Sequence, residues 1–310
     1  MIVRPNDEIR TFKTQPFWEL TTNYRKVCFR YIGDRFDKQD EAQALLNRVG
    51  KYPLVVQKIE RKPEKLLPPQ LFDLTELQRE MNRRFGISAA STLQSAQSLY
   101  EAKLITYPRT DSCYLTTDMQ KEVPGIFQQL QSIKSDEVSK LDLKAFPFYG
   151  RIVNNKKVKD HHAIIPTGSV AGALRDQDRK VYDAIVVRFI AAFYPPCLKE
   201  VTAVESIAND VSFRARGVRL VEPGWNELFP RSSAESEGED EQTLPTFAPR
   251  ESGPHEPFIK PGQTVPPKHF SENTLLGAMD TAGKLVEEGE LREALKEKGL
   301  HDSQRACRIE

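Results

Sequence analysis

Residues with the composition of β-strands lie on both sides of a long stretch with the pattern of helices. Residues 17–32, 54–61 and 198–220 are rich in aromatic and β-branched residues, which favours strands. Residues 175–193 instead predict a helix, with five apolar residues on one side: Val181, Ile185, Val186, Phe189 and Ile190. A helix-rich segment begins near Ser271. This order predicts an α+β chain in which a helical domain is inserted into a β domain.

Prolines and glycines mark the expected connections. A short helix is predicted over residues 41–49. Pro63, Pro68 and Pro69 predict a connector between domains, and Pro and Gly also crowd residues 245–267.

Helix ends in the central stretch are predicted from capping patterns. Residues 75–78 (TELQ) have the form of a capping box, and Gly86 is a plausible helix stop. Ser91 is expected to open a second helix whose apolar positions include Leu93, Ala96, Leu99 and Tyr100.

The composition is that of a globular protein without a membrane segment. Of the 310 residues, 39% are hydrophobic, and no apolar run approaches the roughly 20 residues of a membrane span. The N-terminus lacks a signal-peptide pattern, so a cytoplasmic location is expected. Net charge is only +1, but residues 1–70 carry 14 Lys and Arg against 9 Asp and Glu, which is compatible with a basic groove. The acidic run at residues 235–241 is interpreted as a solvated loop.

The cysteines and the one paired-aspartate sequence do not indicate a metal site. Cys28, Cys113, Cys197 and Cys307 lie far apart, and are interpreted as reduced, mostly buried thiols. Residues 176–178 (DQD) have the letters of a metal-binding pair, but they begin a predicted helix and are interpreted as its solvated end. We therefore predict no metal ligands in this chain.

The stretch Leu104 to Ser112, LITYPRTDS, combines groups suited to phosphate chemistry. Pro108 disfavours helical geometry at Tyr107, so the preceding helix should end before the tyrosine and leave the phenol on a turn. Arg109 should point the same way as Tyr107 if the segment is extended. A tyrosine oxygen that attacks a phosphodiester needs a nearby cation to hold the phosphate. Arginine suits this role because it is always charged and binds phosphate through two parallel hydrogen bonds. The alternative is a structural turn in which Arg109 pairs with Asp111.

A second candidate element is KDHHAIIPTG, residues 159–168, in which two histidines precede an apolar run. An imidazole donates to phosphate oxygens or carries a proton near neutral pH. A histidine pair is also often structural, and this alternative stays open on spacing alone.

Taken together, these elements resemble the type IA DNA topoisomerases, and most closely the bacterial topoisomerase III subgroup. The resemblance covers nearly all of residues 1–300 and is carried by PQLFDLTELQREMNRRFG, TLQSAQSLYEAKLITYPRTDS, DHHAIIPTG, GWNELFP and PPKHFSENTLLGAMDTAGKLVEEGELREALKEKGL.

The resemblance implies an isomerase that cuts one DNA strand by joining a tyrosine to a 5′ phosphate, passes another strand and reseals the cut without ATP. Tyr107 matches the nucleophile and Arg109 the phosphate-positioning arginine. Thr110 and Asp111 complete the motif as DNA-binding candidates. His161 matches the histidine that contacts the DNA backbone, and His162 stands where related subgroups carry Glu; both are assigned to DNA binding.

The resemblance also implies a Toprim domain that holds Mg²⁺ on an acidic cluster and supplies a catalytic Glu and Lys. These residues find no match in this sequence. A misplaced start codon with the Toprim domain encoded upstream, a truncated gene and a frameshift each account for this, and the sequence leaves the three open. Without the Toprim domain, the fold is expected to be an open arc. The chain alone is then expected not to complete the reaction cycle. The last ten residues also depart from the family pattern.

Three domains are expected from the resemblance. An incomplete helical DNA-binding domain comprises residues 1–25 and 262–310, and a β-rich gate domain comprises residues 26–65 and 198–261. Residues 66–197 form the helical domain that bears the tyrosine. The expected partner is single-stranded DNA. The alternatives are a single-stranded DNA-binding remnant without chemistry, and a structural scaffold without function.

Overall fold

The computed structural model describes residues 3–143, 145–169, 172–229 and 244–280. The chain divides into two compact units. We call Met1–Leu66 with Pro196–His269 the sheet unit, and Leu67–Pro195 with Phe270–Glu310 the helical unit. The chain has the predicted α+β class.

The described part of the sheet unit contains a seven-stranded antiparallel sheet. Its strands are β1 (Pro16–Tyr24), β2 (Val27–Tyr31), β3 (Leu54–Leu66), β4 (Cys197–Ala208), β5 (Val211–Glu222), β6 (Ser252–Gly253) and β7 (Glu256–Gln263). Across the sheet the order is β6-β3-β4-β5-β2-β1-β7. Helices α1 (Val3–Thr11) and α2 (Gln39–Val49) belong to the same unit.

The core of the sheet unit lies on one face of the sheet. Along β5, Val211, Phe213 and Ala215 are buried whereas the residues between them are exposed, as the two-residue period of a strand requires. Phe29 packs edge-on against Phe247, with ring centroids 5.8 Å apart. Each fully buried aromatic or aliphatic side chain of this kind stabilises the fold by about 1.5–3 kcal/mol.

The predicted domain boundary between residues 25 and 26 falls inside a hairpin. Arg25 and Lys26 connect β1 to β2, and both have positive φ angles, 50° and 65°. Two-residue hairpin turns of this kind usually contain Asn or Gly, so Arg25 and Lys26 do not indicate a turn. Because β1 pairs with both β2 and β7, residues 16–24 belong to the sheet, and that boundary is corrected. The three functional domain assignments stay predictions.

Two of the predicted connectors are strands. Pro63 lies inside β3, where it stands opposite Glu200 of β4. The other neighbour of β3 pairs only near Leu54, so Pro63 occupies an edge, where its missing N–H is tolerated. Pro257 and Pro261 lie in β7, which is the last strand in the order. Edge positions therefore explain why proline-rich sequence forms strands here.

The described part of the helical unit contains α3 (Leu74–Phe85), α4 (Ala89–Glu101), α5 (Val123–Leu130), α6 (Ser135–Val138), α7 (Asp176–Ala192) and α8 (Glu272–Asp280). All five apolar residues predicted on one side of α7 are buried, which confirms that pattern. None of the described helices has the length and apolar character needed to cross a bilayer. The acidic run at 235–241 and the C-terminal segment from residue 281 lie outside the described residues.

The helix starts differ from the predictions, whereas the helix stop is confirmed. Asp73, not Thr75, caps α3: its carboxylate accepts a 2.7 Å hydrogen bond from the Glu76 N–H. Ser88 caps α4, three residues before the predicted start at Ser91. Gly86 ends α3 with a φ of +65°, a conformation that costs glycine little.

The predicted solvation of residues 176–178 is wrong for Asp178. Its side chain is buried, and Arg175 donates to both of its oxygens, at 2.8 and 3.2 Å. Asp176 is exposed and pairs with Lys180 at 2.7 Å. A carboxylate within one helical turn of an arginine is buried here because the bidentate pair satisfies it.

Candidate functional site: the tyrosine turn

Tyr107 lies on a turn that follows α4. The helix ends at Glu101, so the prediction that it stops before Tyr107 is confirmed. The Thr106 N–H donates to the Ile165 carbonyl at 2.9 Å, and Ile105 forms an isolated β-bridge with Pro166. The tyrosine motif is therefore attached directly to the segment that follows the two histidines.

Three hydroxyl groups hold these two segments together. The hydroxyls of Thr106, Thr110 and Ser112 donate to the carbonyls of Ala163, His161 and Lys157, at 3.1, 2.9 and 3.1 Å. The Thr110 hydroxyl also accepts from the Ser112 N–H at 3.1 Å, and Thr110 is only 7% exposed. Because its hydroxyl is already engaged twice, Thr110 fixes the turn, and its predicted contact with DNA stays untested.

The ring of Tyr107 is held between two other rings. Tyr100 meets it edge-on, with ring centroids 5.5 Å apart, and His161 lies on it at 4.4 Å with a tilt of 46°. Tyr107 is half-buried, yet no hydrogen-bond partner of its hydroxyl appears in the part of the chain that the structure describes. The ring is thus oriented while the oxygen stays available to a ligand.

Arg109 is exposed and makes no ion pair with the described residues. The alternative in which Arg109 pairs with Asp111 is not observed among the described residues. The carboxylate of Asp111 instead lies 3.6 Å from the Lys159 ammonium group. No contact joins the Arg109 guanidinium to the Tyr107 ring within the described chain, so their predicted alignment stays a prediction. Both side chains nevertheless leave the same three-residue turn.

The two histidines have different surroundings. His161 is exposed, and its ring contacts Tyr107. His162 is half-buried, and its Nδ1 lies 2.8 Å from the Ala163 carbonyl, which can only accept. His162 therefore donates through Nδ1, which leaves Nε2 as its other polar atom. The structure brings Tyr107, His161 and Thr110 together; the DNA contacts assigned to the histidines and to Asp111 stay predictions.

Sequence reasoning missed a half-buried carboxyl group, that of Asp73, next to the turn. Asp73 precedes α3, and the Leu74 N–H beside it donates to the Thr110 carbonyl at 3.1 Å. Burial raises the pKa of Asp73 to about 6, the hydrogen bond from Glu76 opposes this, and the nearby carboxylates, including Asp111, add to it. Burial and the charge of Asp73 likewise raise the pKa of the Cys113 thiol to about 11. The only signal in the sequence was an aspartate at a helix start.

We expect Asp73→Asn to stabilise the protein near neutral pH relative to the wild type. A folded-state pKa near 6 lies above the unfolded value of about 3.9, so the stability linked to protonation is fully present below pH 4 and is lost as pH rises through 6. A shift of about two units corresponds to at most about 3 kcal/mol. Asparagine keeps the cap but cannot ionise.

The measurement is denaturant unfolding of both proteins at pH 4.5 and 7.5. The unfolding free energy of Asp73→Asn should exceed that of the wild type by more at pH 7.5 than at pH 4.5. The exposed Asp136→Asn serves as the control and should show no such movement. A difference between Asp73→Asn and wild type that is independent of pH would contradict the account.

The described residues do not fit the Mg²⁺ that the resemblance implies. They bring together no group of three His, Cys, Asp or Glu side chains suited to hold a metal ion. Of the described cysteines, Cys197 is buried, whereas Cys28 and Cys113 are only partly buried; Cys307 lies outside the described residues. No reaction step is therefore derived through a metal ion on these residues.

Comparisons with known proteins support the family resemblance. A protein-family model described as DNA topoisomerase matches residues 1–284. DNA topoisomerase 3 of Shouchella clausii is 36% identical over 301 residues, which cover 91% of this chain and 40% of that protein. DNA topoisomerase 3 of Bacillus subtilis is 34% identical over 302 residues, which cover 93% and 41%.

Among solved structures, topoisomerase I from Thermotoga maritima matches with a TM-score of 0.68 at 20% identity, over 96% of this chain and 49% of that one. This likeness concerns the fold alone. The chain spans about two fifths of the length of the curated relatives it matches. Because the family model covers most of the chain and the relatives cover more than nine tenths of it, the chain belongs to the type IA DNA topoisomerase family and is topoisomerase III-like.

Proposed function

We propose that this chain supplies the DNA-cleaving tyrosine of a type IA topoisomerase, which cuts one strand, passes another through the break and reseals it. The observation that carries the proposal is the state of Tyr107. Its ring is oriented by Tyr100 and His161, while its hydroxyl has no partner among the described residues. An oriented nucleophile reacts faster because the entropy of placing it in the reactive geometry is lost before the attack and does not add to the barrier.

The proposed reaction is a transesterification. The Tyr107 oxygen forms a bond to phosphorus, the bond from phosphorus to the 3′ oxygen breaks, and the phenol proton ends on that 3′ oxygen. The 5′ phosphate stays on the tyrosine until the 3′ hydroxyl attacks it and reverses each change. One phosphodiester replaces another, so no ATP is required, and the sequence has no G-x-x-x-x-G-K-[ST] loop.

Arg109 is proposed to bind the non-bridging oxygens of the attacked phosphate. Its guanidinium is exposed and has no ion pair among the described residues, so no protein contact must break first. A bidentate arginine stabilises the charge that develops on these oxygens. His161 is proposed to orient the phenol and to contact the DNA backbone, with His162 as a second donor beside it.

The leaving 3′ oxygen needs a proton or another source of charge stabilisation. We propose that a Toprim domain acts together with these 310 residues and brings the Glu, the Lys and the Mg²⁺ site that the family resemblance assigns to it.

The test is covalent trapping of single-stranded DNA. An oligonucleotide labelled at its 3′ end keeps the label on the fragment that becomes joined to the protein. With Mg²⁺ alone, we expect the 310-residue chain to give no labelled adduct and no relaxation of plasmid. With the Toprim domain of a topoisomerase 3 relative, added in trans or fused ahead of Met1, a labelled adduct should appear.

Two outcomes would contradict the proposal. The first is robust relaxation by the chain alone, which would require a metal site elsewhere. The second is DNA binding by the fused protein without any adduct, which would favour the runner-up function of a non-catalytic single-stranded DNA-binding protein.

A further inference from the structure

Lys157 and Tyr114 form a pair of polar side chains that is separate from the ring contacts of Tyr107. The Lys157 ammonium group donates to the Tyr114 hydroxyl at 3.0 Å and lies 4.9 Å from the centre of its ring. The ring contacts of Tyr107 are made by Tyr100 and His161, not by this pair. The pair therefore belongs to the same two segments as the tyrosine turn but occupies a different place on them.

Ser112 fixes the backbone of both members of the pair. Its hydroxyl donates to the Lys157 carbonyl at 3.1 Å and accepts from the Tyr114 N–H at 3.2 Å. The Ala163 N–H in turn donates to the Tyr114 carbonyl at 2.9 Å. The backbones of Lys157 and Tyr114 are thus both tied to the Ser112 hydroxyl. Since their side chains are also joined by a 3.0 Å hydrogen bond, the ammonium and phenol groups lie together before any ligand binds.

No carboxylate among the described residues neutralises the charge of this pair. Lys159, two residues on, lies 3.6 Å from the carboxylate of Asp111. The partner of Lys157 is instead a neutral hydroxyl, and none of the groups that shift its pKa is a carboxylate. The Tyr114 oxygen accepts from Lys157, so its own proton is available to donate, and two of the three ammonium protons are also available.

We propose that Lys157 and Tyr114 form a subsite for one backbone phosphate of single-stranded nucleic acid, distinct from the phosphate that Tyr107 attacks. A non-bridging oxygen would accept from the Lys157 ammonium group, and a second contact would come from the Tyr114 hydroxyl. The inference rests on the proposed function, since it assigns a second contact of the same strand. The subsite binds strand that flanks the cut, and it reads phosphate rather than base sequence.

The test is binding of a fluorescent oligonucleotide to the full 310-residue chain over a range of salt concentrations. The logarithm of the affinity for single strands falls with the logarithm of salt by about 0.7 for each phosphate neutralised by a cation. Lys157→Gln should therefore lower both the affinity and the slope, the latter by about 0.7. Lys156→Gln is the matched control: it removes the same charge from an adjacent exposed position and should leave the slope unchanged.

Tyr114→Phe separates the subsite from a general charge effect. It removes a neutral donor, so we expect a several-fold loss of affinity at an unchanged slope. Inorganic phosphate, added at constant ionic strength, should compete with the oligonucleotide only weakly, because the strand makes several contacts at once. Efficient competition would show that the pair is a site for free phosphate and would overturn the assignment to a strand.

The remaining outcomes decide the matter separately from the proposed function. Equal effects of Lys156→Gln and Lys157→Gln, no effect of Tyr114→Phe, or a wild-type affinity that ignores salt would each overturn the subsite. If those results accompany a normal Tyr107 adduct in the trapping assay, only the subsite fails. If the predicted slopes appear but no adduct forms, only the cleavage proposal fails.

Discussion

Tyr107→Phe should abolish the covalent adduct in the protein complemented with a Toprim domain, while leaving the fold intact. The change removes the atom that forms the bond to phosphorus, and loss of a nucleophile costs on the order of 10⁶ in rate in other covalent catalysts. The hydroxyl has no hydrogen-bond partner among the described residues, so unfolding free energy should change by less than about 0.5 kcal/mol. Gel detection of the labelled adduct and thermal melting measure the two effects.

Two matched variants make this result specific. Tyr100→Phe keeps the ring that meets Tyr107 edge-on, and Tyr149→Phe removes the hydroxyl of an exposed tyrosine elsewhere in the helical unit. Both should still give the adduct. A large fall in the melting temperature of Tyr107→Phe would show that its hydroxyl is a structural donor, and an adduct that persists in Tyr107→Phe would remove it as the nucleophile.

Arg109→Ala should slow adduct formation by about 10²–10³, the typical cost of losing one preoriented charge contact in the transition state. Arg109→Lys should restore only part of the rate, because lysine keeps the charge but not the bidentate geometry. The guanidinium is exposed and has no described ion pair, so both variants should melt like the wild type.

Single-turnover trapping under saturating oligonucleotide measures the chemical step for each variant. Arg179→Ala, an exposed arginine of α7 in the same unit, is the control and should react at the wild-type rate. If Arg109→Ala and Arg179→Ala react equally fast, Arg109 has no role in stabilising the phosphate.

The parts of the fold that depend on periodicity could be predicted from the sequence. The apolar positions of α7 and the helix stop at Gly86 follow from local side-chain and backbone preferences. The hairpin at Arg25 and Lys26 could not be predicted, because two long charged residues give no turn signal. Pro63 can lie in β3 because no second strand pairs with β3 at that position. Which strands pair there is determined by the arrangement of the whole sheet, so the local sequence could not show it.

The candidate site was predictable only in part, for the same physical reason. The motif indicated Tyr107 and Arg109, since their chemistry is visible in nine consecutive residues. Tyr100 was assigned to the apolar side of its helix, but it is 40% exposed and contacts the Tyr107 ring. Contacts such as that between Lys157 and Tyr114 join residues far apart in the chain, so local sequence could not indicate them.

The most direct test of the central claim is to find which residue carries the DNA. The adduct formed with the Toprim domain is digested with nuclease and protease, and the modified peptide is identified by mass spectrometry. We expect a 5′-phosphoryl nucleotide on Tyr107, in the peptide that contains LITYPR. A nucleotide on Tyr100, Tyr114 or any other residue, with Tyr107 unmodified, would contradict the account.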